Sequence, residues 1–318
     1  MSQLPLVIVN PASANGATGR RWPAIASDLR THFGAFTPAF TREAGDGRII
    51  SAREAKAGRE FIIACGGDGT INEVASGILE SGADAELGVL PSGTGGDFRR
   101  TLNLSTNAAN VARALQTGRA RRIDAGRVTF IDEKGAQAER YFVGVASFGM
   151  SGDVIRRVKA NTRAQPSLAS RLDWLGGRVS FAVAALGATL SLPAADVIIQ
   201  LDDKPEARLT LANLCVANAR YFGGGMKIAP QAKVDDGRFD VIAINELGAA
   251  ELIANAPKLY TGTHLGMPQI RHTHASRITA RPAHEGSKIL LEVDGELPGY
   301  LPATFVILPH ALRVRFPA

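Results

Sequence analysis

Cysteine is scarce in this sequence of 318 residues, which contains only Cys65 and Cys215. Both lie in apolar segments, whereas small secreted domains that depend on disulfide bonds carry several cysteines at short spacings. We therefore expect no disulfide framework, and the composition suits a reducing compartment.

Long apolar runs are also missing. The most apolar stretch, Phe181–Leu192, is well short of the roughly 20 residues that a membrane-spanning helix needs, and it predicts a buried helix. The first ten residues, MSQLPLVIVN, lack the basic segment and the longer apolar run of a signal peptide. We expect a cytoplasmic protein.

Aromatic residues make up only 6% of the chain, and the net charge is +6. A positive charge favours anionic partners such as nucleotide phosphates, membrane surfaces or nucleic acid. Nucleic acid is not expected, because aromatic residues are not interleaved with the basic runs. There are two basic runs: the first is Arg119, Arg121 and Arg122, and the second is Arg156, Arg157, Lys159 and Arg163. Such runs are typical of solvated surface, but the second could instead attract anionic lipid headgroups.

Histidines form no recognisable zinc pattern. His272 and His274 would share one face if this segment were a strand, and His284 follows ten residues later. Zinc would need at least one further ligand, with cysteine or acidic residues in support. We predict no zinc.

The first 125 residues alternate short apolar runs with helical patterns, which predicts βα units and a mostly parallel sheet. Asn107 is a candidate cap for the last helix. The predicted strands are Leu6–Val9, Ala35–Phe40, Phe61–Ala64 and Leu87–Leu90, and the predicted helices are Thr18–His32, Arg48–Ala57, Ile71–Leu79 and Ala108–Gln116.

From about Ile123 the pattern changes to strand-like runs with hairpin signals, which predicts a second, mainly antiparallel domain. We place the domains at 1–125 and 126–299, with a helical insertion at Ser167–Leu190. The last segment, 300–318, could close the second sheet or return to the first domain. The predicted strands are Arg127–Ile131, Arg140–Val145, Val197–Leu201, Leu209–Asn218, Ile289–Val293, Thr304–Ile307 and Leu312–Phe316, with turns at Asp132–Gly135 and Asp202–Pro205.

A glycine-rich loop follows the third predicted strand. The segment Gly66–Thr70 reads GGDGT and leads directly into a predicted helix. Glycines let a ligand approach the backbone closely, and N–H groups at a helix start bind phosphate. The loop matches neither the phosphate-binding Gly-Lys-Ser/Thr loop nor the dinucleotide pattern. Taken alone it could also be a tight turn, since Asp-Gly is a common turn dipeptide.

A second such loop, Pro91–Phe98, follows the next strand, and Asn10–Ser13 follows the first. The carboxyl ends of parallel strands meet at one edge of a sheet, where α/β proteins bind ligands. Together these segments predict a nucleotide site at that edge.

Four runs resemble, in this order and spacing, those of the bacterial diacylglycerol kinase and sphingosine kinase-like lipid kinase family: GGDGTINEVASGI, LGVLPSGTGGDF, YFGGGMKIAPQAKVDDGRFDV (Tyr221–Val241) and VDGE (Val293–Glu296). The likeness spans nearly the whole chain. Phosphofructokinases and NAD kinases share the first run but are not expected to carry the other three. The resemblance implies an NAD kinase/diacylglycerol kinase-like α/β domain with a parallel sheet, followed by a mainly antiparallel β-sandwich.

The resemblance also implies a nucleotide site. Asp68 and Asp97 would hold the catalytic Mg²⁺ partly through water, because Mg²⁺ keeps several waters. Thr41 lies in the family's threonine-rich stretch after the second strand. The residues implied to contact ATP are Asn10, Thr41, Gly66, Gly67, Asp68, Gly69, Thr70, Ile71, Asn72, Thr94 and Asp97.

In the VDGE run, similarity to the bacterial enzymes makes Glu296 the acceptor of the substrate's hydroxyl proton, with Asp294 as its neighbour or partner. Without the family context, a solvated hairpin would explain this Asp-Gly segment. Asp68, Asp294 and Glu296 are therefore the predicted catalytic residues.

The family also implies a structural Mg²⁺ bound by the Asp236 carboxylate and by the backbone carbonyls of Lys233 and Arg238. A type I′ turn is the alternative for this segment. One departure is visible, since Gly96 stands where the family commonly has Asn. Loss of that amide could remove a contact to nucleotide or to water-bound Mg²⁺.

We therefore expect an ATP- and Mg²⁺-dependent lipid kinase that acts on a hydroxyl-bearing lipid presented by a membrane. A kinase of the same fold acting on NAD and a non-catalytic nucleotide-binding regulator are the alternatives. The lipid acceptor stays open, because pocket shape decides between acyl and alkyl lipids. A homodimer is a weak expectation, since a basic or apolar patch could be a dimer face or a membrane face.

Overall fold

The computed structural model describes residues 3–93, 95–153, 155–156, 194–245 and 249–317. The predicted helix Ser167–Leu190, most of the second basic run and Thr94 lie outside these residues. Element numbers below refer to the described residues. Among them, no helix is long and apolar enough to cross a membrane.

The N-terminal part has the predicted βα alternation. One short helix, α4, was not predicted, and the other bounds differ by a few residues at most. The elements are β1 (Leu6–Val9), α1 (Ala17–His32), β2 (Thr37–Phe40), α2 (Asp46–Lys56), β3 (Phe61–Gly66), α3 (Asp68–Ser81), β4 (Glu86–Pro91), α4 (Asp97–Thr101) and α5 (Ala108–Thr117).

The N-terminal strands form a parallel sheet in the order β4-β3-β1-β2. Alternate residues of β1 enter two different cores: Leu6 and Ile8 pack on one side, Val7 and Val9 on the other. Helices cover both faces, so β1 is apolar and buried at every position. The predicted cap of α5 is confirmed, since the Asn107 side chain accepts a hydrogen bond of 3.0 Å from the Asn110 N–H.

The C-terminal part is mainly antiparallel, as predicted. Its elements are β5 (Arg119–Asp132), β6 (Gln137–Phe142), β7 (Val145–Gly149), β8 (Ala195–Leu201), β9 (Ala207–Leu211), β10 (Asn213–Ala217), β11 (Phe239–Ile244), α6 (Ala249–Thr261), β12 (Ile270–Ala275), β13 (Arg277–Pro282), β14 (Leu290–Val293) and β15 (Glu296–Phe316). The hairpins β5–β6 and β8–β9 confirm the two predicted turns.

Two predicted strands are wrong, because each is divided in the structure. The run Arg140–Val145 ends β6 and begins β7, and the run Leu209–Asn218 contains β9 and β10. In each case the chain changes partner: β9 pairs with β8, whereas β10 pairs with β7 and β11. The break at Ala212 is held by its N–H, which donates to Ile244 O at 2.8 Å. Apolar patterning continues across both breaks and therefore does not reveal them.

The two antiparallel layers enclose one core. Phe142 stacks on Phe239 with ring centroids 5.6 Å apart, and Phe148 stacks on Phe305 at 6.2 Å. All four rings are fully buried. The predicted β-sandwich is confirmed.

The final strand, β15, joins the two parts. Its N-terminal portion pairs with β14, and its C-terminal portion pairs in parallel with β4 through Arg313 and Val314. It also pairs along its length with β5, which begins before the predicted boundary at residue 125 and ends after it. Both predicted destinations of the last segment are therefore occupied by one strand, and Leu312 and Val314 enter the core of the N-terminal part.

Both cysteines are free and buried, as expected without a disulfide framework. Burial raises the pKa of the Cys65 thiol to about 12, so this side chain acts as an apolar core residue.

Candidate active site

The first glycine-rich loop joins β3 to α3. No side chain in the described part of the chain caps the start of α3, so its first-turn N–H groups face outward as donors. The Asn10 side-chain amide donates to the Thr70 hydroxyl at 3.0 Å, and the Ser13 hydroxyl accepts from the Gly67 N–H at 3.1 Å. The structure thus brings together the segments after β1 and β3, as predicted.

The two glycine-rich loops lie in direct contact. The Ser92 N–H donates to Gly66 O at 2.8 Å, and a Cβ added at Gly93 would overlap the backbone of Gly67. A Cβ at Gly66 would lie 2.5 Å from the Thr70 hydroxyl oxygen. Glycine is therefore required at position 93 for the two loops to approach each other, and at position 66 to leave room for Thr70.

Asp68 and Asp97 come from the two loops and lie near each other. Asp68 accepts a hydrogen bond of 3.0 Å from the Phe98 N–H, which anchors α4 to α3. Asp97 accepts from the Gly224 N–H at 2.8 Å and so binds the glycine-rich run of the C-terminal part. Burial raises the pKa of Asp97, and the nearby charge of Asp68 raises it further. The two carboxylates therefore form an anionic pair where the two parts meet.

Arg100 belongs to this cluster and was not identified from the sequence. Its guanidinium forms an ion pair of 2.8 Å with Asp97 and donates to Gly95 O at 2.5 Å. Its Nη2 atom is buried without a hydrogen-bond partner among the described residues. Its position three residues after Asp97, on the same helix face, is the only signal of this role in the sequence.

Gly96, which departs from the family pattern, has a φ of +67°. Asn and Gly are the residues that most often adopt this left-handed conformation. The departure therefore preserves the backbone of the loop and removes only the side-chain amide.

Asp294 is held by backbone donors from the β6–β7 connection. Its carboxylate accepts N–H groups from Val145 at 2.9 Å, Val143 at 3.1 Å and Gly144 at 3.3 Å. Burial raises the pKa of this carboxyl to about 6; the three N–H donors counteract the increase, and the charge of Asp68 adds to it. The structure therefore brings Asp294 to the carboxylate cluster of the N-terminal part.

Glu296 begins β15, and its side chain is exposed. The two residues of the VDGE run thus differ in environment: Asp294 is fixed by the backbone, whereas Glu296 is accessible to a substrate.

A further carboxylate, that of Glu292, was not identified from the sequence. It lies on β14, is 3% exposed, and accepts hydrogen bonds from the Ser147 hydroxyl and, at 2.6 Å, from the Gly295 N–H. Burial raises its pKa to about 7, with smaller contributions from the charges of Asp294 and Glu296. Its position in the apolar run LLEV is a signal that could have revealed it, since a carboxyl in a buried strand needs a partner.

Three predicted nucleotide residues lie at the margin of the site. Thr41 follows β2, at the same sheet edge as Asn10, and its N–H donates to Val9 O at 2.9 Å. Asn72 lies one turn inside α3 and accepts a 3.5 Å hydrogen bond from Ser76. Ile71 is 1% exposed, and its N–H donates a hydrogen bond to Gly67 O. The Ile71 side chain therefore packs behind the loop, and its contact with nucleotide stays a prediction.

The predicted structural Mg²⁺ site lies in the loop before β11. Asp236 accepts from the Arg238 N–H at 3.2 Å, and Lys233 lies at the exposed start of the loop. Only Gly237 has a positive φ within 233–238, so the alternative of a type I′ turn, which needs two such residues, is wrong. The metal itself stays a prediction.

Asp124, which the sequence did not single out, holds this loop. Its buried carboxylate accepts from the Gly237 N–H at 2.7 Å and from the His310 N–H at 2.8 Å. Asp124 therefore ties the loop before β11 to the bend within β15.

The sequence matches two family models. Residues 5–128 match the diacylglycerol kinase catalytic domain, and residues 144–316 match the YegS C-terminal NAD kinase beta sandwich-like domain. Each match coincides with one of the two structural parts described above.

Proteins of known name with similar sequences include diacylglycerol kinases from Staphylococcus saprophyticus, 30% identical over 98% of this chain and 94% of that protein, and from Bacillus subtilis, 31% identical over 86% and 83%. Among solved structures, a diacylglycerol kinase from Bacillus anthracis is similar, with a TM-score of 0.71, 21% identity and coverage of 99% and 97%. Yeast NADH kinase complexed with NADH shares the fold more distantly, with a TM-score of 0.53, 9% identity and coverage of 100% and 84%. The family predicted from the four sequence runs is confirmed, and the chain belongs to the diacylglycerol kinase family.

Proposed function

We propose that this protein is an ATP- and Mg²⁺-dependent kinase that phosphorylates the primary hydroxyl of a diacylglycerol-like lipid. One observation carries the proposal: Asp68 binds the N–H of Phe98, next to Asp97, at 3.0 Å, and Asp294 lies near enough to feel the charge of Asp68. Three carboxylates from three distant segments therefore converge beside the glycine-rich loops. Phosphoryl transfer needs this combination of phosphate binding, metal binding and nearby carboxylates.

The phosphates of ATP would bind at the uncapped start of α3. The N–H groups of this helix and its dipole favour an anion, and Gly66, Gly67 and Gly93 leave the backbone accessible. Arg100 adds a positive charge on the side of the second loop.

The donor set of this cluster fits Mg²⁺. Two carboxylates, Asp68 and Asp97, lie close enough to repel each other, and burial raises the pKa of Asp97. Hard oxygen ligands of this kind suit Mg²⁺, which uses one or two carboxylates together with phosphate oxygens. When bound, the ion would neutralise charge on the transferring phosphoryl group.

Glu296 would accept the proton of the attacking lipid hydroxyl. Its side chain is exposed at the start of β15, whereas Asp294 is occupied by three backbone donors and shapes the connection between β14 and β15. Asp294 therefore positions the turn that carries Glu296.

The lipid acceptor implies that the protein works at a membrane surface. A chain with a net charge of +6 is attracted to anionic headgroups. This surface would be the cytoplasmic face of the membrane.

The proposal is tested with radiolabelled ATP, Mg²⁺ and a lipid panel in mixed micelles. The panel contains diacylglycerol, monoacylglycerol, phosphatidylglycerol, sphingosine and ceramide, with NAD as a soluble acceptor. We expect label in a lipid with a free primary hydroxyl. Label in NAD alone would refute the lipid assignment, and no label in any acceptor would favour a nucleotide-binding regulator.

Two variants test the assigned residues. Glu296→Gln is expected to lower kcat about 10²- to 10⁴-fold, the usual contribution of a general base. Asp68→Asn tests the metal position better than Asp68→Ala, because an amide oxygen can still accept the Phe98 N–H. Glu133→Gln, in the exposed β5–β6 turn, is the matched control and should keep full activity. Full activity of Glu296→Gln or Asp68→Asn would contradict the assignment.

A further inference from the structure

A cluster of potential metal ligands lies on β11 and β12, outside the candidate active site. It consists of Asp240, His272 and His274, whose ligand atoms all lie within 4.8 Å of one another. We propose that these three side chains bind a divalent transition-metal ion such as Zn²⁺. The sequence predicted no zinc, because it showed no further ligand beside the histidines. Asp240 is that further ligand in the structure.

The pairing of two strands creates the cluster. In the antiparallel register, Asp240 lies opposite His274, and Ile242 lies opposite His272. His272 is therefore the diagonal neighbour of Asp240 on the same sheet face, within reach of a long side chain. Local sequence does not show this arrangement, because 32 residues separate Asp240 from His272.

The distances suit a tetrahedral metal site. The Nε2 atoms of His272 and His274 lie 2.7 Å and 3.7 Å from the same carboxylate oxygen of Asp240. A tetrahedral ion with bonds of about 2.0 Å places neighbouring ligand atoms about 3.3 Å apart. Shifts of about half an ångström would convert the observed arrangement into a metal site, which is within the reach of ordinary side-chain rotation.

Burial distinguishes this cluster from ordinary surface residues. Asp240 is 2% exposed, and a buried carboxylate needs a positive or hydrogen-bonding partner. His272 alone would supply that partner, yet a second imidazole converges on the same oxygen. The His274 side chain is 42% exposed and that of His272 is 18% exposed, so the cluster opens to solvent and leaves room for a water as fourth ligand.

The ligand types separate this site from the predicted Mg²⁺ sites. Two imidazoles and one carboxylate suit zinc, nickel or cobalt, whereas Mg²⁺ prefers oxygen ligands alone. The site lies close to the predicted structural Mg²⁺ loop, since the charge of Asp236 contributes to raising the pKa of Asp240. Because β12 ends the strand order of the sheet, an ion here would fasten this edge strand to β11.

The test is a titration of the chelator-treated protein with Co²⁺ in excess Mg²⁺. Mg²⁺ occupies oxygen sites, and Co²⁺ reports imidazole ligands through its visible d–d absorption. We expect one Co²⁺ per chain, displaced by Zn²⁺. His274→Gln and His272→Gln should each lower Co²⁺ affinity at least about tenfold. Loss of a residue that only supports a metal ligand already lowers affinity by about this factor, so loss of a ligand should lower it at least as much.

The matched control is His284→Gln. His284 also pairs with a carboxylate, since its Nε2 lies 2.9 Å from Asp196, but Asp196 and His284 do not belong to the cluster. This variant should bind Co²⁺ like the wild type. Far-UV circular dichroism in chelator checks folding. His274→Gln carries the test, because the His274 side chain is the more exposed of the two histidines.

Two results would overturn the proposal. One is a wild-type protein that binds no Co²⁺ under these conditions, and the other is equal affinity in His274→Gln and His284→Gln. Either would show that Asp240 and His272 form a hydrogen-bonded pair without a metal. The titration does not depend on the kinase assay, so failure of one leaves the other intact.

Discussion

Replacing Glu292 by Gln should remove a pH-dependent loss of stability. Glu292 is buried on β14, and its two oxygens accept hydrogen bonds from the Ser147 hydroxyl and the Gly295 N–H. A glutamine can keep the second bond with its carbonyl oxygen and donate to Ser147 with its amide. The variant therefore resembles the protonated form of Glu292 at every pH.

The magnitude follows from the pKa of Glu292, which burial raises from 4.5 to about 7 in the folded protein. Between these values the folded state binds a proton that the unfolded state has released, so stability falls as the pH rises. The loss begins near pH 4.5 and is complete above about pH 7. At 1.36 kcal/mol per pKa unit, the gap between variant and wild type should widen by about 2 to 3 kcal/mol from pH 5 to pH 8.

The assay is urea denaturation at pH 5, 6, 7 and 8, without Mg²⁺ or nucleotide so that no ligand stabilises the site. The free energies of unfolding of Glu292→Gln and wild type are compared at each pH. The control variant Glu133→Gln, at an exposed position, should have the same free energy of unfolding as the wild type at each pH. A constant offset between Glu292→Gln and wild type would refute the reasoning, because the charge of Glu292 would then not oppose folding.

Three further substitutions test packing and capping. Gly93→Ala should abolish ATP binding measured by calorimetry, because the added Cβ overlaps Gly67; wild-type affinity would contradict the contact between the loops. Asn107→Ala should lower the free energy of unfolding by about 1 kcal/mol in urea denaturation, because it removes the cap of the Asn110 N–H; no change would mean the cap is not formed in solution. Asp124→Ala should cost more, about 1 to 3 kcal/mol in total, because the backbone N–H groups of Gly237 and His310 lose their buried acceptor. A loss below about 1 kcal/mol by the same measurement would argue against this role.

Much of the N-terminal part could be predicted from the sequence. Two of its parallel strands, β1 and β3, are buried on both faces, so Leu6–Val9 and Phe61–Gly66 are uninterrupted apolar runs. The helices between them have their own periodicity and, at Asn107, a cap. Because the loops after β3 and β4 leave adjacent parallel strands, the meeting of the two glycine-rich loops followed from the strand assignment.

The C-terminal part could be predicted less well. At Ala212 the chain passes from one layer of the sandwich to the other without a change in apolar pattern. The same holds at Gly144, between β6 and β7. Strand pairing depends on contacts between distant segments, and single-sequence patterns do not contain that information.

The sequence by itself determined the family, the order of the two parts and the residues of the phosphate loops, because these depend on local patterns and on runs of adjacent residues. Tertiary structure alone decided which distant side chains meet. It placed Asp294 beside the β6–β7 connection, left Glu296 exposed, and brought Asp240 to His272. The physical reason is that strand register sets these contacts, and register is decided by the packing of the whole sheet.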